Sequence, residues 1–471
     1  MAKVKKEKLS FKQMLEHQLT TYPARYALGA FTGLIIIWTV LLMLPISAAD
    51  GKSTPFVQSL FMAVSTISVT GLRSVAETHW SGFGEVIIVI GAQAGGIGIF
   101  TLASLLGMIV SRRLGLRTKL MVASDTNPLR QHSGPVSESQ AIKLGDIRGL
   151  LQTVIIATLA VEGFVLVLIY PSVLAAGFDP LEALWISTQY SIFSFTNTGF
   201  SLHDSGIMAF ANDYWFLSVL MISVVAGAIG FPVIFALLRN LRPKNRRRWS
   251  LHSKLTLTVS GILIVVGALV IFALEWGNNS TIGNENPLRA LFDSVFFSVM
   301  TRSGGFSIID MNHIDSATML FSDILMFIGG GSASTSGGVK VTTFAVLLFA
   351  AIAEARGVDN MQVFRRRIPT DVLRLAVSVV IASVATVMVA SIVILKATDM
   401  PLDLVLFEVT SAFGTSGLSV GISNYQNDVV QITLAIVMWI GRLGTVTFAA
   451  ALAARSKKQL FRYPEERPIV G

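Results

Sequence analysis

The sequence predicts an all-α integral membrane protein built from four tandem helix–pore-loop–helix repeats around one central pore. Three observations predict it. Apolar runs of roughly 20 residues, enough to cross a hydrocarbon core of about 30 Å, recur down the chain. A short motif occurs four times: Ser68-Val69-Thr70-Gly71-Leu72, Thr196-Asn197-Thr198-Gly199-Phe200, Arg302-Ser303-Gly304-Gly305-Phe306 and Gly414-Thr415-Ser416-Gly417-Leu418. Finally, 30 of the 37 Lys and Arg residues fall in five blocks, at the two ends and at every second connection between apolar spans. That is the pattern the positive-inside rule gives to cytoplasmic segments.

Composition agrees. Hydrophobic residues make up 52% of the 471 positions, charged residues 14%, and mean hydropathy is +0.66; a soluble domain carries charge on about a quarter of its residues. With no Cys, disulfides and thiolate metal sites are excluded. The chain opens on Lys3, Lys5, Lys6, Lys8 and Lys12 and runs polar to about Tyr22, which is no cleavable leader. The net charge of +9 is a topology signal, so no nucleic-acid partner is expected. These features place the protein in the cell inner (plasma) membrane as a multi-pass chain with both termini cytoplasmic.

The elements follow in order. Residues 1–26 form a basic cytosolic N-terminus, whose stretch Leu9–Leu15 is amphipathic and suited to a lipid interface. Repeat 1 (27–110) has a helix near 27–47, a short segment from Pro55 to about Val69, the Gly71 loop and a helix near 83–110. A cytosolic loop (111–149) leads to repeat 2 (150–238), with a helix near 150–170, a segment from Pro180 to about Phe195, the Gly199 loop and a helix near 214–238. After a basic loop (239–253), repeat 3 (254–352) runs through 254–274, then Pro287 to about Met300, the Gly305 loop and 318–352. A second basic loop (353–370) precedes repeat 4 (371–453): a helix at 371–395, Pro401 to about Phe413, the Gly417 loop and 429–453. Residues 454–471 are a cytosolic C-terminus. The short segments cannot span and are read as re-entrant half-helices, each opened by a proline that suits a first helical turn. Eight spanning helices result.

Non-helical backbone at membrane depth must be buried in protein or line water, so the four loops are expected to meet one another at a pore. All copies run in one direction, which implies parallel symmetry about the membrane normal. Asp50, Glu77, Asp179, Asp204, Asp213, Glu285, Asp310, Asp315, Asp399 and Asp428 all fall on the external connections and would concentrate cations there. A dehydrated monovalent cation needs oxygens in place of its water, and a row of carbonyls supplies them. Glycine permits the positive φ such a loop requires. Each half-helix would aim its partly negative C-terminus at the cavity, favouring a cation. The expected filter comprises Val69, Thr70, Gly71, Asn197, Thr198, Gly199, Ser303, Gly304, Gly305, Thr415, Ser416 and Gly417, with the hydroxyls of Thr70, Thr198 and Ser416 beside the carbonyls.

The four loops and the second-helix motifs Gly95-Gly96-Ile97-Gly98, Gly230-Phe231-Pro232, the Gly/Ser stretch at 329–338 and Gly441-Arg442 resemble the Trk/Ktr/HKT superfamily of potassium transporters over nearly the whole chain. The compact length and the ending Arg462-Tyr463-Pro464-Glu465-Glu466 to Val470-Gly471 look most like the KtrB type of membrane subunit. The resemblance implies a homodimer with one pore per subunit, resting on a cytosolic KtrA-type ring that binds nucleotide; any nucleotide acts through that partner. In plant relatives a Ser at the first filter glycine goes with sodium preference, so Gly71 favours potassium. Sodium remains as a coupling ion or as the preferred ion of a less selective relative.

A second site is Gly329, Gly330, Gly331, Ser332, Ala333, Ser334, Thr335, Ser336, Gly337 and Gly338, followed by Lys340. Five glycines in ten residues make a poor helix interior, at about 1 kcal/mol each against Ala. The alternatives are a soluble-side linker and a helix broken near mid-membrane; the apolar runs on either side favour the break. The resemblance implies that this loop gates the pore. Arg442 lies within the last apolar helix, where a charge costs about 2.5–3.5 kcal/mol and must find a partner or a cavity. It is read either as the ion-pair partner of Glu162 or as a cation under the filter that holds the gate. Arg302 braces the third loop. His79, His203 and His313 read as ordinary solvated residues. The basic connections 239–248 and 356–367 serve topology, anionic lipid or docking of the regulatory ring.

No nucleotide-binding loop is present in the sequence, so energy is expected from ion gradients. An intramembrane enzyme acting through Glu162 or the histidines is the rival from another class. No Ser/His, paired-Asp or HExxH arrangement in the spans supports it, and no enzymatic activity is expected.

Overall fold

The structure, a computed structural model, describes residues 23–97, 147–203, 206–241, 249–358, 361–425 and 427–444. The first 22 residues with their amphipathic start, nearly all of 111–149, Asp204, the basic run 242–248, the last part of the 83–110 helix and everything after Gly444 lie outside them.

The described elements are almost entirely helical. Repeat 1 supplies α1 (Pro23–Met43), α2 (Phe56–Ile67) and α3 (Gly82–Gly96). Repeat 2 supplies α4 (Ile147–Ala175), α5 (Pro180–Phe195), α6 (Tyr214–Ile229) and α7 (Phe231–Leu241). In the third stretch are α8 (Leu251–Glu275), α9 (Pro287–Met300), α10 (Ser316–Phe327) and α11 (Val341–Ala355). The last comprises α12 (Thr370–Ala397), α13 (Leu402–Gly414) and α14 (Asp428–Leu443).

Why the short helices start where they do is local chemistry. Pro180 and Pro287 occupy the first turn of α5 and α9, and Pro55 and Pro401 cap α2 and α13. Proline there sacrifices an N–H that would be unpaired in any case. The side chain of Asn286 accepts from the Leu288 N–H as well. These helices have 12, 16, 14 and 13 residues, roughly 18–24 Å at about 1.5 Å per residue, so none can cross a bilayer. Their second halves are buried on every side, as in Phe61–Ile67 and Phe407–Gly414, so they run down the middle of the bundle.

Packing between repeats is cyclic. The second helix of each repeat lies on the half-helix of the next: α3 on α5, α6 on α9, α10 on α13, and α14 back on α2. Side chains bridge the seams. Trp185 Nε1 and Gln189 Nε2 donate to Glu85 Oε2 at 2.6 and 2.8 Å, and Ser316 Oγ donates to Asp403 at 2.7 Å.

Two expectations about the spans need correction. The helix expected at 214–238 is two helices, α6 and α7, bent by 107° at Gly230. Gly230 has φ +88°, and a Cβ there would stand 2.7 Å from the Ser332 carbonyl oxygen. Pro232 cannot donate to the Ala228 carbonyl, which breaks the helix, and the 329–338 loop fills the gap by donating Gly331 N–H to that carbonyl at 2.7 Å. Nor do eight unbroken spans appear among the described residues. By length and composition three helices can cross a membrane, within α4, α8 and α12, and a fourth if α6 and α7 count as one. The 318–352 run is divided into α10 and α11, and α3 and α14 are described only in part.

The 353–370 connection holds a small hairpin that was not foreseen, pairing Gln362 with Arg367 and Val363 with Arg366. Its turn residues Phe364 and Arg365 have φ of 50° and 61°. Two left-handed residues in succession make the tight turn whose twist matches a hairpin.

Candidate functional site

The four glycine loops come together in a ring. Each glycine faces the carbonyl of the residue just before the glycine of the next loop. A Cβ on Gly71 would stand 1.8 Å from Thr198 O, on Gly199 2.6 Å from Gly304 O, on Gly305 2.8 Å from Ser416 O, and on Gly417 2.4 Å from Thr70 O. The order is therefore one, two, three, four and back to one. At each of the four junctions a side chain on the glycine would collide with the carbonyl of the next loop.

Each loop uses the same backbone device. All four glycines have positive φ, at 90°, 72°, 73° and 86°, and so does the residue two before each: Val69 (58°), Asn197 (60°), Ser303 (75°) and Thr415 (49°). A non-glycine residue in that region is uncommon and strained, and persists where its surroundings over-determine it. Alternating left- and right-handed residues turn successive carbonyls the same way. The loops stay tied to their own half-helices, with Thr70 N donating to Ser65 O, Thr198 N to Phe193 O and Ser416 N to Ser411 O, each at 2.8 Å. The hydroxyls expected beside the carbonyls are engaged within the protein. Thr70 Oγ1 bonds Ser68 Oγ at 2.6 Å and Thr198 Oγ1 bonds Thr196 Oγ1 at 2.7 Å, while Ser416 Oγ reaches Met300 O at 3.4 Å.

The 329–338 loop lies against this ring, and its buried residues Ser332, Thr335 and Ser336 exclude a solvent-side linker. Its ends are pinched by a bridge between Ile328 and Val339, and Gly330 N donates to Ser336 Oγ at 2.6 Å. Gly331 N donates to Ala228 O at 2.7 Å, while Phe231 N reaches Ala333 O at 3.3 Å across the α6–α7 break. Three contacts join the loop to the glycine loops. Thr335 Oγ1 donates to Asn197 Oδ1 at 2.8 Å, Gly337 N donates to Thr415 Oγ1 at 2.7 Å, and the buried Arg302 donates to Ile328 O and Gly329 O at 2.6 and 2.8 Å. Arg302 thus braces by carbonyls.

Arg442 stands in the last turn of the described α14, not in mid-helix. Its guanidinium donates to the Thr335 and Gly95 carbonyls, coupling the loop to α3. Lys340 Nζ donates to Ser336 O. Glu162 is buried elsewhere, on α4, where Oε2 accepts from Gln93 Nε2 at 2.9 Å and Oε1 has no hydrogen-bond partner. Among the described residues no cluster of His, Asp and Glu could hold a metal ion.

Charged groups at the outer end have structural work. Arg73 pairs with Glu77, which also accepts from Ser201 Oγ at 3.2 Å. Asp310 accepts from the Asn312 backbone N–H, which with the nearby His313 holds its carboxyl below the usual range. His203 is not an ordinary solvated residue: its Nε2 meets Tyr190 OH at 2.9 Å and its ring packs on Phe178 and Phe210. Glu408 is fully buried in α13 and accepts from Ser419 Oγ (2.7 Å), Val420 N (2.9 Å) and Ser423 N (3.1 Å), pinning the strand that leaves the fourth loop. Glu408→Ala leaves those donors unpaired. It should lower stability by on the order of 3 kcal/mol, read as a drop in the thermal unfolding midpoint in detergent.

Sequence reading named Gly95 and Gly441 only as motif residues, without a role, and did not single out Gly227. Gly95, Gly227 and Gly441 lie where a Cβ would meet the Ile67, Phe195 and Phe413 carbonyls at 2.2, 2.1 and 2.1 Å. Each of those carbonyls belongs to the residue four before a loop glycine. Gly95, Gly329 and Gly441 each fall 24 residues after their loop glycine, a spacing visible in the sequence.

With this geometry described, similarity to known proteins can be weighed. Residues 8–462 match the family model TrkH, described as a cation transport protein. The chain is 33% identical to Ktr system potassium uptake protein B of Bacillus subtilis, over 96% of this chain and 97% of that protein. Ktr system potassium uptake protein D of the same organism is 35% identical, over 93% and 94%. The potassium/sodium uptake protein NtpJ of Enterococcus hirae is 28% identical, over 95% and 97%. In fold the chain is similar to the crystal structure of the potassium transporter TrkH from Vibrio parahaemolyticus, with a TM-score of 0.67 and 19% identity over 95% of this chain and 86% of that one. These relatives are transporters, which leaves no support for the enzyme reading. The chain is a membrane protein and belongs to the TrkH/Ktr family of cation transport proteins.

Proposed function

We propose that the protein takes up potassium across the plasma membrane through a filter made by the four glycine loops, in four helix–pore-loop–helix repeats with both termini cytoplasmic. The observation that carries this reading is the ring in which each loop glycine faces a carbonyl of the next loop. Carbonyl oxygens gathered from four such loops can replace the water of a monovalent cation, and the half-helix C-termini add negative potential. The 329–338 loop, held by Arg302 and Arg442, is the gate. The names of the most similar proteins support potassium as the ion. They also support a Ktr system in which this chain forms a homodimer on a KtrA-type nucleotide-binding ring, surrounded by lipid. A reading in which sodium is carried or coupled is favoured by the likeness to a potassium/sodium uptake protein.

Potassium flux into liposomes holding this chain, competed with sodium, tests the proposal. Potassium-selective flux that weakens in Gly417→Ser is the expected result. Flux indifferent to that change, or equal for sodium, overturns the potassium filter. Glu162→Gln keeps the acceptor for Gln93, lies away from the glycine loops and removes a buried charge, so it should leave flux within about twofold of the parent. Its loss would give Glu162 a role in transport.

A further inference from the structure

Besides the Arg302 brace from loop three, the 329–338 loop touches the ring at two opposite points. Loops follow one another in the order one to four around the ring, so loops two and four face each other across it. Thr335 reaches loop two through Asn197, and Gly337 reaches loop four through Thr415. Those two residues are separated by two steps of chain, about 7 Å when extended. Residues 335–337 therefore form a strap across the inner end of the ring.

The strap ends on the strained residues. Asn197 and Thr415 are two of the four non-glycine residues in the left-handed region, each two positions before a loop glycine. The other two are held without the strap's side-chain or N–H contacts. Ser303 Oγ donates to the carbonyls of Gly414 and Thr415 at 3.0 and 2.8 Å, and Val69 is buried against α3. Asn197 also donates through Nδ2 to Val224 O at 3.2 Å, so its amide is fixed at both ends only while Thr335 is docked. Two glycines make the approach possible. A Cβ on Gly227 would stand 2.2 Å from Asn197 Oδ1, and one on Gly337 would stand 2.6 Å from Thr415 Oγ1.

We propose that Asn197 and Thr415 are positioning residues that make ion discrimination depend on the docked strap. Through them, the loop that blocks the pathway also holds the backbone of loops two and four in the left-handed shape that aligns their carbonyls. When the strap leaves, both residues lose a partner and drift toward right-handed backbone. The ring then opens with lower discrimination between potassium and sodium. This rests on the reading of the glycine loops as a potassium pathway.

The test is the potassium-to-sodium permeability ratio of the full chain in planar bilayers or liposomes, measured beside total flux. Thr335→Val removes the hydroxyl donated to Asn197 and leaves every residue of the four glycine loops unchanged. Thr415→Val removes the acceptor for Gly337 N–H. Both should raise total flux while lowering the ratio by about fivefold or more, the effect of freeing a residue from the left-handed region. Thr415→Ser, which keeps the acceptor, should recover most of the discrimination lost in Thr415→Val. Adding Asn197→Gly to Thr335→Val should recover it too, since glycine holds positive φ without a brace. Higher flux at an unchanged ratio in both Val variants would make the strap a plug alone and overturn the proposal. A ratio that also ignores Gly417→Ser would instead remove the potassium pathway on which it rests.

Discussion

Gly71→Ala should lower potassium-over-sodium discrimination by at least about tenfold and cut potassium flux with it. Two costs combine. At φ +90° a side chain pays roughly 1–2 kcal/mol for left-handed backbone. A Cβ there would also stand 1.8 Å from Thr198 O and 3.0 Å from its carbon, so the second loop must move. That loop cannot move cheaply, because Thr198 N is bonded to Phe193 O and Asn197 to Val224 O and Thr335. One tenfold step corresponds to about 1.4 kcal/mol, less than the two costs together. Gly261→Ala on α8 is the control. Nothing lies within 4 Å of a Cβ there and its φ is ordinary, so flux and selectivity should match the parent. Competition of potassium influx by sodium in liposomes reads both variants. An unaltered ratio in Gly71→Ala would mean that the ring does not select.

Arg442→Gln should raise flux in the absence of any partner by about tenfold or more. The guanidinium donates to Thr335 O in the strap and to Gly95 O in α3, so it ties the gate loop to a different repeat. Hydrogen bonds from a charged donor are worth about 1.5–3 kcal/mol each. Losing one that exists only in the closed arrangement shifts the loop toward the open one by about one to two decades. Arg442→Lys separates two causes. Lysine keeps the charge beneath the ring but presents a point donor in place of a planar fork. If flux rises in Gln and Lys alike, the two-carbonyl clamp is what closes the pore. A rise in Gln alone would assign the effect to charge repulsion of the permeating ion.

Much of this architecture was legible because its signals are local. Pro180 and Pro287 stand in the first turns of α5 and α9, and Pro55 and Pro401 cap α2 and α13, so the half-helix starts follow from residue type. The loop glycines announced themselves by fourfold recurrence. What escaped notice depends on residues far apart in sequence. Gly230 and Pro232 mark a weak point in the apolar run, but nothing local shows that the Ser332 and Ala333 backbone of another repeat packs into the break. Thr415 carries no mark of left-handed backbone, and Asn197 only the mild preference of its type; the partners that meet them, Val224, Thr335 and Gly337, come from other segments of the chain. Arg442 looked central in an apolar stretch, yet its partners are carbonyls in the 329–338 loop and on α3, which no spacing rule supplies. The His203 ring, read as solvated, is held by Tyr190 and two phenylalanines that the chain brings to it only after folding.

The head-to-tail packing of repeats bears on how the chain can be made. Because α14 closes on α2, the first half-helix keeps one flank uncovered until α14 has left the ribosome. Its loop glycine has a carbonyl neighbour in the second loop at once, but the Thr70 carbonyl waits for Gly417. Three synthesised repeats are thus an arc with two bare ends, and each end exposes polar backbone that lipid cannot satisfy. A nascent chain arrested before residue 428 should remain a client of the insertion machinery or of membrane proteases. The ring itself closes only once residue 428 and the helix that follows it are in place.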